Sequence, residues 1–285
     1  MQDIYEETKY IMNKYKIKAN KSLGQNFLVS QQVVDNIVGS SEITKEDLVI
    51  EIGPGLGTLT KELLERAGKV ICIELDKNMI KILEDRFSLY NNFEIIFNDV
   101  LKVDLDKIIK EEKEKNNLKN AKIVANLPYY ITTPIIMKLL EEKLDLESIT
   151  VMIQKEVADR LIAIPGEKNT GAITYAVYYY SVAEKLLEVP KESFIPEPEV
   201  TSEVIKLNIR KNEIVDVKDK ELMFKIIKNA FMQRRKTLLN ALANAKIFKS
   251  KDEGKEILKK LGLDENVRAE KISLEKFAEM TNLIK

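Results

Sequence analysis

Strand-length apolar runs alternate with helix-spaced segments as far as residue 153, and the chain from residue 219 onward reads as helix alone. These two observations predict an α/β domain with a parallel sheet covered on both faces, followed by a small all-helical domain. A glycine-rich turn between the first strand and its helix marks the end of the sheet where a ligand would sit.

The elements follow in order. "LVIEIG" (48–53) is short and apolar, as a buried parallel strand is. "TLTKELLERA" (58–67) has apolar residues at helical spacing and stops before Gly68. "KVICIEL" (69–75) is the next strand, "NMIKILEDRF" (78–87) the next helix, and "FEIIFND" (93–99) the third strand. The charged stretch 106–120 begins amphipathic and ends as a solvated helix end or loop. "AKIVANL" (121–127), "TTPIIMKLLEE" (132–142) and "SITVMI" (148–153) give strand, helix and a fifth strand. Beyond Gly171 the rhythm changes: 172–189 begins helix-like, 194–200 is extended and proline-spaced, and 202–210 alternates like a strand. Helical patterns then fill 220–245, 253–262 and 273–284, which places the boundary between domains 1–217 and 218–285.

Composition narrows the chemistry. The 285 residues contain 45% hydrophobic residues and no apolar run near the roughly 18 residues of a membrane helix. The start, "MQDIYEETKY", has early acids and no apolar core of a signal peptide, so a cytoplasmic protein without a membrane partner is expected. Cys72 is the single cysteine and sits in an apolar run, as an inert core thiol would. Histidine is absent, which removes His-based nucleophile triads and argues against a metal site. The 46 basic and 46 acidic residues cancel, yet windows 8–34 and 225–251 hold only basic charge, together +13, leaving −13 for the remainder. Basic segments around an acidic body suggest a polyanion that touches part of the surface.

Two motifs carry the function. In "EIGPGLG" (51–57), Gly53, Gly55 and Gly57 clear side chains where a ligand approaches backbone, and Glu74 ends the following strand 21 positions after Gly53. A carboxylate near that spacing can accept from both ribose hydroxyls of a nucleoside. Glu51 would repel bound phosphates and suits a cofactor carrying an ammonium and a sulfonium. Asp99 can accept from an adenine amino group, or cap a helix. The second motif is Asn126-Leu127-Pro128-Tyr129. The Asn126 side-chain oxygen and the Leu127 carbonyl offer two acceptors to the two N–H bonds of an adenine amine. Together they pull its nitrogen toward a tetrahedral shape. Pro128 fixes the turn and brings no competing N–H, and Tyr129 can stack on a base taken out of its helix.

The motifs "SLGQNFLVS", "VIEIGPGLGTLT", "ICIELD", "FND", "VANLPYYITTP", "FIPEPEV" and "FMQRRKTLLN", in this order, resemble the bacterial KsgA-type adenine dimethyltransferases of small-subunit ribosomal RNA. The resemblance implies a Rossmann-like class I methyltransferase sheet and S-adenosylmethionine as cofactor. It also implies dimethylation of two adjacent adenosines near the 3′ end of the small-subunit rRNA, within an immature subunit; a monomer is expected by default. It assigns Asn26, Leu28, Gly53, Gly55, Glu74, Asp99 and Asn126 to the cofactor, and Asn126 through Tyr129 to the target amine. Phe194 would close the other side of the base. Where many relatives carry Asn after Pro-Tyr, this chain has Tyr130. Arg234, Arg235 and Lys236, read as consecutive on one helix, are expected to touch RNA phosphates. Competing readings are a large-subunit rRNA adenine methylase of the antibiotic-resistance class, a nicotinamide oxidoreductase on the same fold, and a non-catalytic ribosome-assembly factor.

Overall fold

The computed structural model describes residues 3–20, 23–233 and 235–284. Its elements in chain order are α1 (Ile4–Lys14), β1 (Phe27–Leu28), α2 (Gln31–Ser40), β2 (Asp47–Ile52), α3 (Thr58–Arg66), β3 (Lys69–Glu74), α4 (Lys77–Phe87) and β4 (Phe93–Phe97). Next come α5 (Leu105–Asn116), β5 (Asn120–Asn126), α6 (Thr132–Glu141), β6 (Ser148–Gln154), α7 (Lys155–Ile162) and α8 (Ala172–Tyr180). The chain finishes with β7 (Ser181–Val189), β8 (Phe194–Ile195), β9 (Ser202–Ile209), α9 (Lys220–Met232), α10 (Leu238–Asn244), α11 (Lys251–Lys260) and α12 (Leu274–Leu283).

The expected α/β sheet is present, in the order β4-β3-β2-β5-β6-β9-β7. The strands β4, β3, β2, β5 and β6 run parallel. Every residue of β2 and β3 is buried, the reason both read as unbroken apolar runs. β9 joins β6 antiparallel, so the sheet is mixed at that side. A separate two-stranded ribbon pairs Phe27 with Ile195 and Leu28 with Phe194. Two helices precede the sheet that the sequence reading had left unassigned, α1 and α2. Asp3 caps α1 through the Tyr5 amide, and α2 buries Val33, Val34, Ile37 and Val38.

The chain divides into two compact units. One runs to Ala158 and adds Glu184–Ile209; the other joins Asp159–Ala183 to the chain from Arg210 onward. The sequence reading placed everything before residue 218 in the first domain; the structure gives α8 to the helical unit instead. The cause is that α8 is apolar nearly all round, with Ile173, Tyr175, Ala176, Val177 and Tyr179 buried. Tyr175 has no exposed surface, packs at 5.2 Å from the Phe277 ring, and donates its hydroxyl to the Ile272 carbonyl at 2.6 Å. The C-terminal helices start on side-chain caps: Asp219 for α9, Thr237 for α10, Ser250 for α11 and Ser273 for α12. Among the described residues, no helix is long and apolar enough to cross a membrane.

Candidate active site

The parallel strands end together on one side of the sheet, and their terminal residues build a pocket. β2 contributes Glu51, β3 Glu74, and β5 Asn126; Asp99 follows β4. This is the carboxyl end of an open α/β sheet, where ligands bind. The pocket encloses about 1060 Å³ of non-atom space, open solvent at its mouth included.

The glycine turn forms the floor. Gly55 has a φ of +57° and Gly57 of +83°, the left-handed region that side chains strain to adopt. A Cβ on Gly57 would come within 2.5 Å of the Phe87 ring on α4, so helix packing as well as backbone angle demands glycine there. Arg86 of the same helix donates to the Leu56 carbonyl of the turn and pairs with Glu7 of α1.

Two acids stand in the pocket wall, each held by neutral donors. Glu74 accepts from the Leu75 and Asp76 amides at 2.7 and 2.8 Å through one oxygen, and from the Gly55 amide at 3.3 Å through the other. Burial raises its pKa, and those three amides oppose the rise. Glu51 is 1% exposed and is pushed up to about 7, chiefly by burial and further by the Glu74 charge, against the bonds from Thr60 and Cys72. Thr60 donates to Glu51 at 2.6 Å and the Cys72 thiol lies at 3.6 Å. Cys72 is itself fully buried, with its pKa pushed up, as an inert core thiol is. Asp99 spends one carboxylate oxygen on the Leu101 amide, capping a short 3₁₀ turn while lining the pocket. The expected cap is present, and Asp99 borders the pocket as well.

On the opposite wall, the Asn126 side-chain nitrogen donates to the Asn26 carbonyl at 3.2 Å. With the nitrogen so engaged, the Asn126 oxygen is left as an acceptor on a residue that lines the pocket. The Leu127 amide is held by the Met152 carbonyl at 3.1 Å. The Tyr129 hydroxyl is 2.5 Å from the Ser202 hydroxyl, and burial raises its pKa. Asn26, Leu28, Gly53, Leu127, Pro128 and Tyr129 all line the pocket.

Phe194, the expected cover for the far side of the base, is 2% exposed and packs in the core cluster with Phe27 and Leu28, paired with Leu28 in the ribbon. One expectation needs correction. Arg235 and Lys236 are not helical. α9 ends at Met232 because Thr237 caps α10 four residues after Gln233, and the two basic residues sit exposed in the turn between. Arg234 lies outside the described residues. Sequence reasoning gave no role to Ser202 or Gln25. Gln25 donates to Asp76 at 2.9 Å and lines the pocket with Tyr130.

A mixed sheet with a glycine turn, an acid on the next strand and an amide-proline tip defines a class I methyltransferase. The chain belongs to the ribosomal RNA adenine dimethylase family, whose model matches residues 16–285. It is 48% identical to the ribosomal RNA small subunit methyltransferase A of Alkaliphilus oremlandii, over 97% of this chain and 96% of that protein. It is equally 48% identical to the one of Clostridioides difficile, over 98% and 96%. Among solved structures, a dimethyladenosine transferase from Plasmodium falciparum aligns with a TM-score of 0.73 at 26% identity, covering 89% of this chain and 95% of that one. The 23S rRNA methyltransferase ErmE aligns at 0.68 and 22% identity, over 91% and 99%, a likeness of fold.

Proposed function

We propose that the protein uses S-adenosylmethionine to dimethylate the exocyclic amines of two adjacent adenosines near the 3′ end of small-subunit rRNA, within an immature small subunit. The observation that carries this reading is the Asn126 amide, which lines the pocket with its nitrogen donating to the Asn26 carbonyl and its oxygen left to accept. Together with the Leu127 carbonyl it gives an adenine amine one acceptor per N–H. The near-full-length relatives carry "small subunit" in their names, which favours this substrate over the large-subunit alternative.

The cofactor supplies a methyl group already activated on a sulfonium. The protein's residues then need only bind, orient and accept hydrogen bonds. The free lone pairs of Glu74 suit ribose hydroxyls, and Glu51, costly to ionise alone, suits a neighbouring ammonium. Gly53 and Gly55 bring backbone to the ligand, Asp99 suits the adenine amine, and Asn26 and Leu28 close over it. Pro128 places no N–H beside the target. Tyr129, held neutral and fixed by Ser202, offers a ring to the base. The methylated amine is acidic and gives up its proton without a dedicated base. The exposed Arg235 and Lys236 suit rRNA phosphates.

Incubating unmethylated small subunits with the protein and cofactor, then weighing the digested nucleosides, tests the reading. Dimethyladenosine is expected from the wild type, and Asn126→Ala is expected to lose at least about 100-fold in rate. Product on large-subunit RNA alone would move the protein to the resistance class. If Asn126→Ala abolished methylation yet restored subunit maturation in cells lacking the protein, docking rather than chemistry would carry the assembly role.

A further inference from the structure

One side chain at the pocket mouth has no part in the scheme above. Tyr130 directly follows the Asn126–Tyr129 tip and is 58% exposed. The other exposed aromatic rings among the described residues are Tyr5, Tyr10 and Phe97, and of these four only Tyr130 lines the pocket. Its neighbour Tyr129 is tied by its hydroxyl to Ser202, whereas the Tyr130 ring stands outside. Gly24 lies beside it: a Cβ added there would meet the Tyr130 ring at 3.4 Å, ordinary contact distance. An aromatic ring with a glycine on one side, more than half exposed and lining the pocket next to the tip, is built as a platform.

We infer that Tyr130 is a stacking subsite for a second nucleobase, the adenosine adjacent to the one whose amine is in the pocket. This rests on the proposed rRNA substrate. A base drawn out of its stack uncovers the face of its neighbour in the strand, and that neighbour loses stacking that an aromatic side chain can replace. Stacking tolerates any base, so the platform holds the strand in register and leaves chemistry to the tip. With two adjacent adenosines as targets, the platform keeps the second one beside the pocket while the first is methylated.

The test uses full-length protein, unmethylated small subunits, and the variants Tyr130→Ala and Tyr130→Trp. For Tyr130→Ala the Michaelis constant for subunits is expected to rise about tenfold, the scale of a lost base–aromatic stack, and by more than any fall in kcat. Cofactor affinity by calorimetry is expected to hold, and Tyr130→Trp to restore subunit binding. A loss of cofactor affinity matching the loss of activity would overturn the inference and make Tyr130 a prop for the segment around Gly24. An unchanged Michaelis constant would also overturn it. Wild-type protein giving no dimethyladenosine on small subunits is a separate result: it sinks the substrate reading itself, and the subsite with it.

Discussion

The two ends of the parallel sheet treat buried charge in opposite ways. At the amino ends of the strands, Asp47 is fully buried and well served: the Lys122 ammonium lies at 3.0 Å, the Asn120 amide at 3.0 Å and the Thr44 amide at 2.7 Å. Burial works to raise its pKa, and these partners outweigh it, so the carboxyl sits below its ordinary value. At the carboxyl ends of the same strands, Glu51 and Glu74 are as deeply placed, receive only neutral donors, and are raised. Folding completes the first set of charges by itself. The second set is left for a ligand to complete, at the expense of the free protein's stability. Within one sheet, that contrast separates scaffold from site.

The largest effect is expected where a completed pair is broken. Lys122→Met should destabilise by about 3–5 kcal/mol, because Asp47 keeps its charge and loses its ammonium. Adding Asp47→Asn should recover most of the loss, and unfolding midpoints of the two variants measure this. If Lys122→Met alone were harmless, the amino end would not be charge-completed as described.

Glu51→Gln should have the opposite sign. The Glu51 carboxyl has a folded pKa near 7 against an ordinary 4.5. Between those values the unfolded chain has released a proton that the folded chain keeps, so stability falls as pH rises through this window. The cost is complete above about pH 7 and absent below about 4.5. The variant should therefore gain up to about 3 kcal/mol at pH 8 and almost nothing at pH 4. Asp47 runs the other way, contributing stability above about pH 4 that is lost as pH falls. A cationic ligand beside Glu51 would ionise it, so cofactor binding near pH 6.5 should release a proton, seen as a buffer-dependent heat that Glu51→Gln removes. Equal gains at both pH values would mean Glu51 is not strained by burial.

Glu74→Ala should weaken cofactor binding by about 1–3 kcal/mol in calorimetry, the scale of a lost hydrogen-bond partner. An unchanged affinity would remove Glu74 from the ligand-facing set. The smallest effect is expected for charges standing in water: Arg235→Glu with Lys236→Glu should reduce the slope of RNA affinity against salt by about one per lost phosphate contact. An unchanged slope would give that turn no RNA contact.

The sequence by itself determined the five parallel strands, their ends and most of the wall, but not β7, which lies in a stretch that began as helix. "LVIEIG" and "KVICIEL" read as buried strands because parallel strands in a covered sheet have no polar face. Gly57 was legible as a glycine requirement, though not its reason, a helix side chain 30 positions later in the chain. Tertiary structure alone decided what depends on partners distant in sequence. No local pattern pairs Phe194 with Leu28, so that pairing could not be read. The helical period ran straight through residues 233–237, where capping by Thr237 won over propensity and turned Arg235 and Lys236 into a loop. α8 carried helix periodicity but no sign of which core would bury it, since an element apolar on all sides fits any hydrophobic neighbour. The hydrogen bond that engages the Asn126 amide goes to a carbonyl 100 residues away. Spacing along a chain fixes which faces an element presents; only folding decides what meets them.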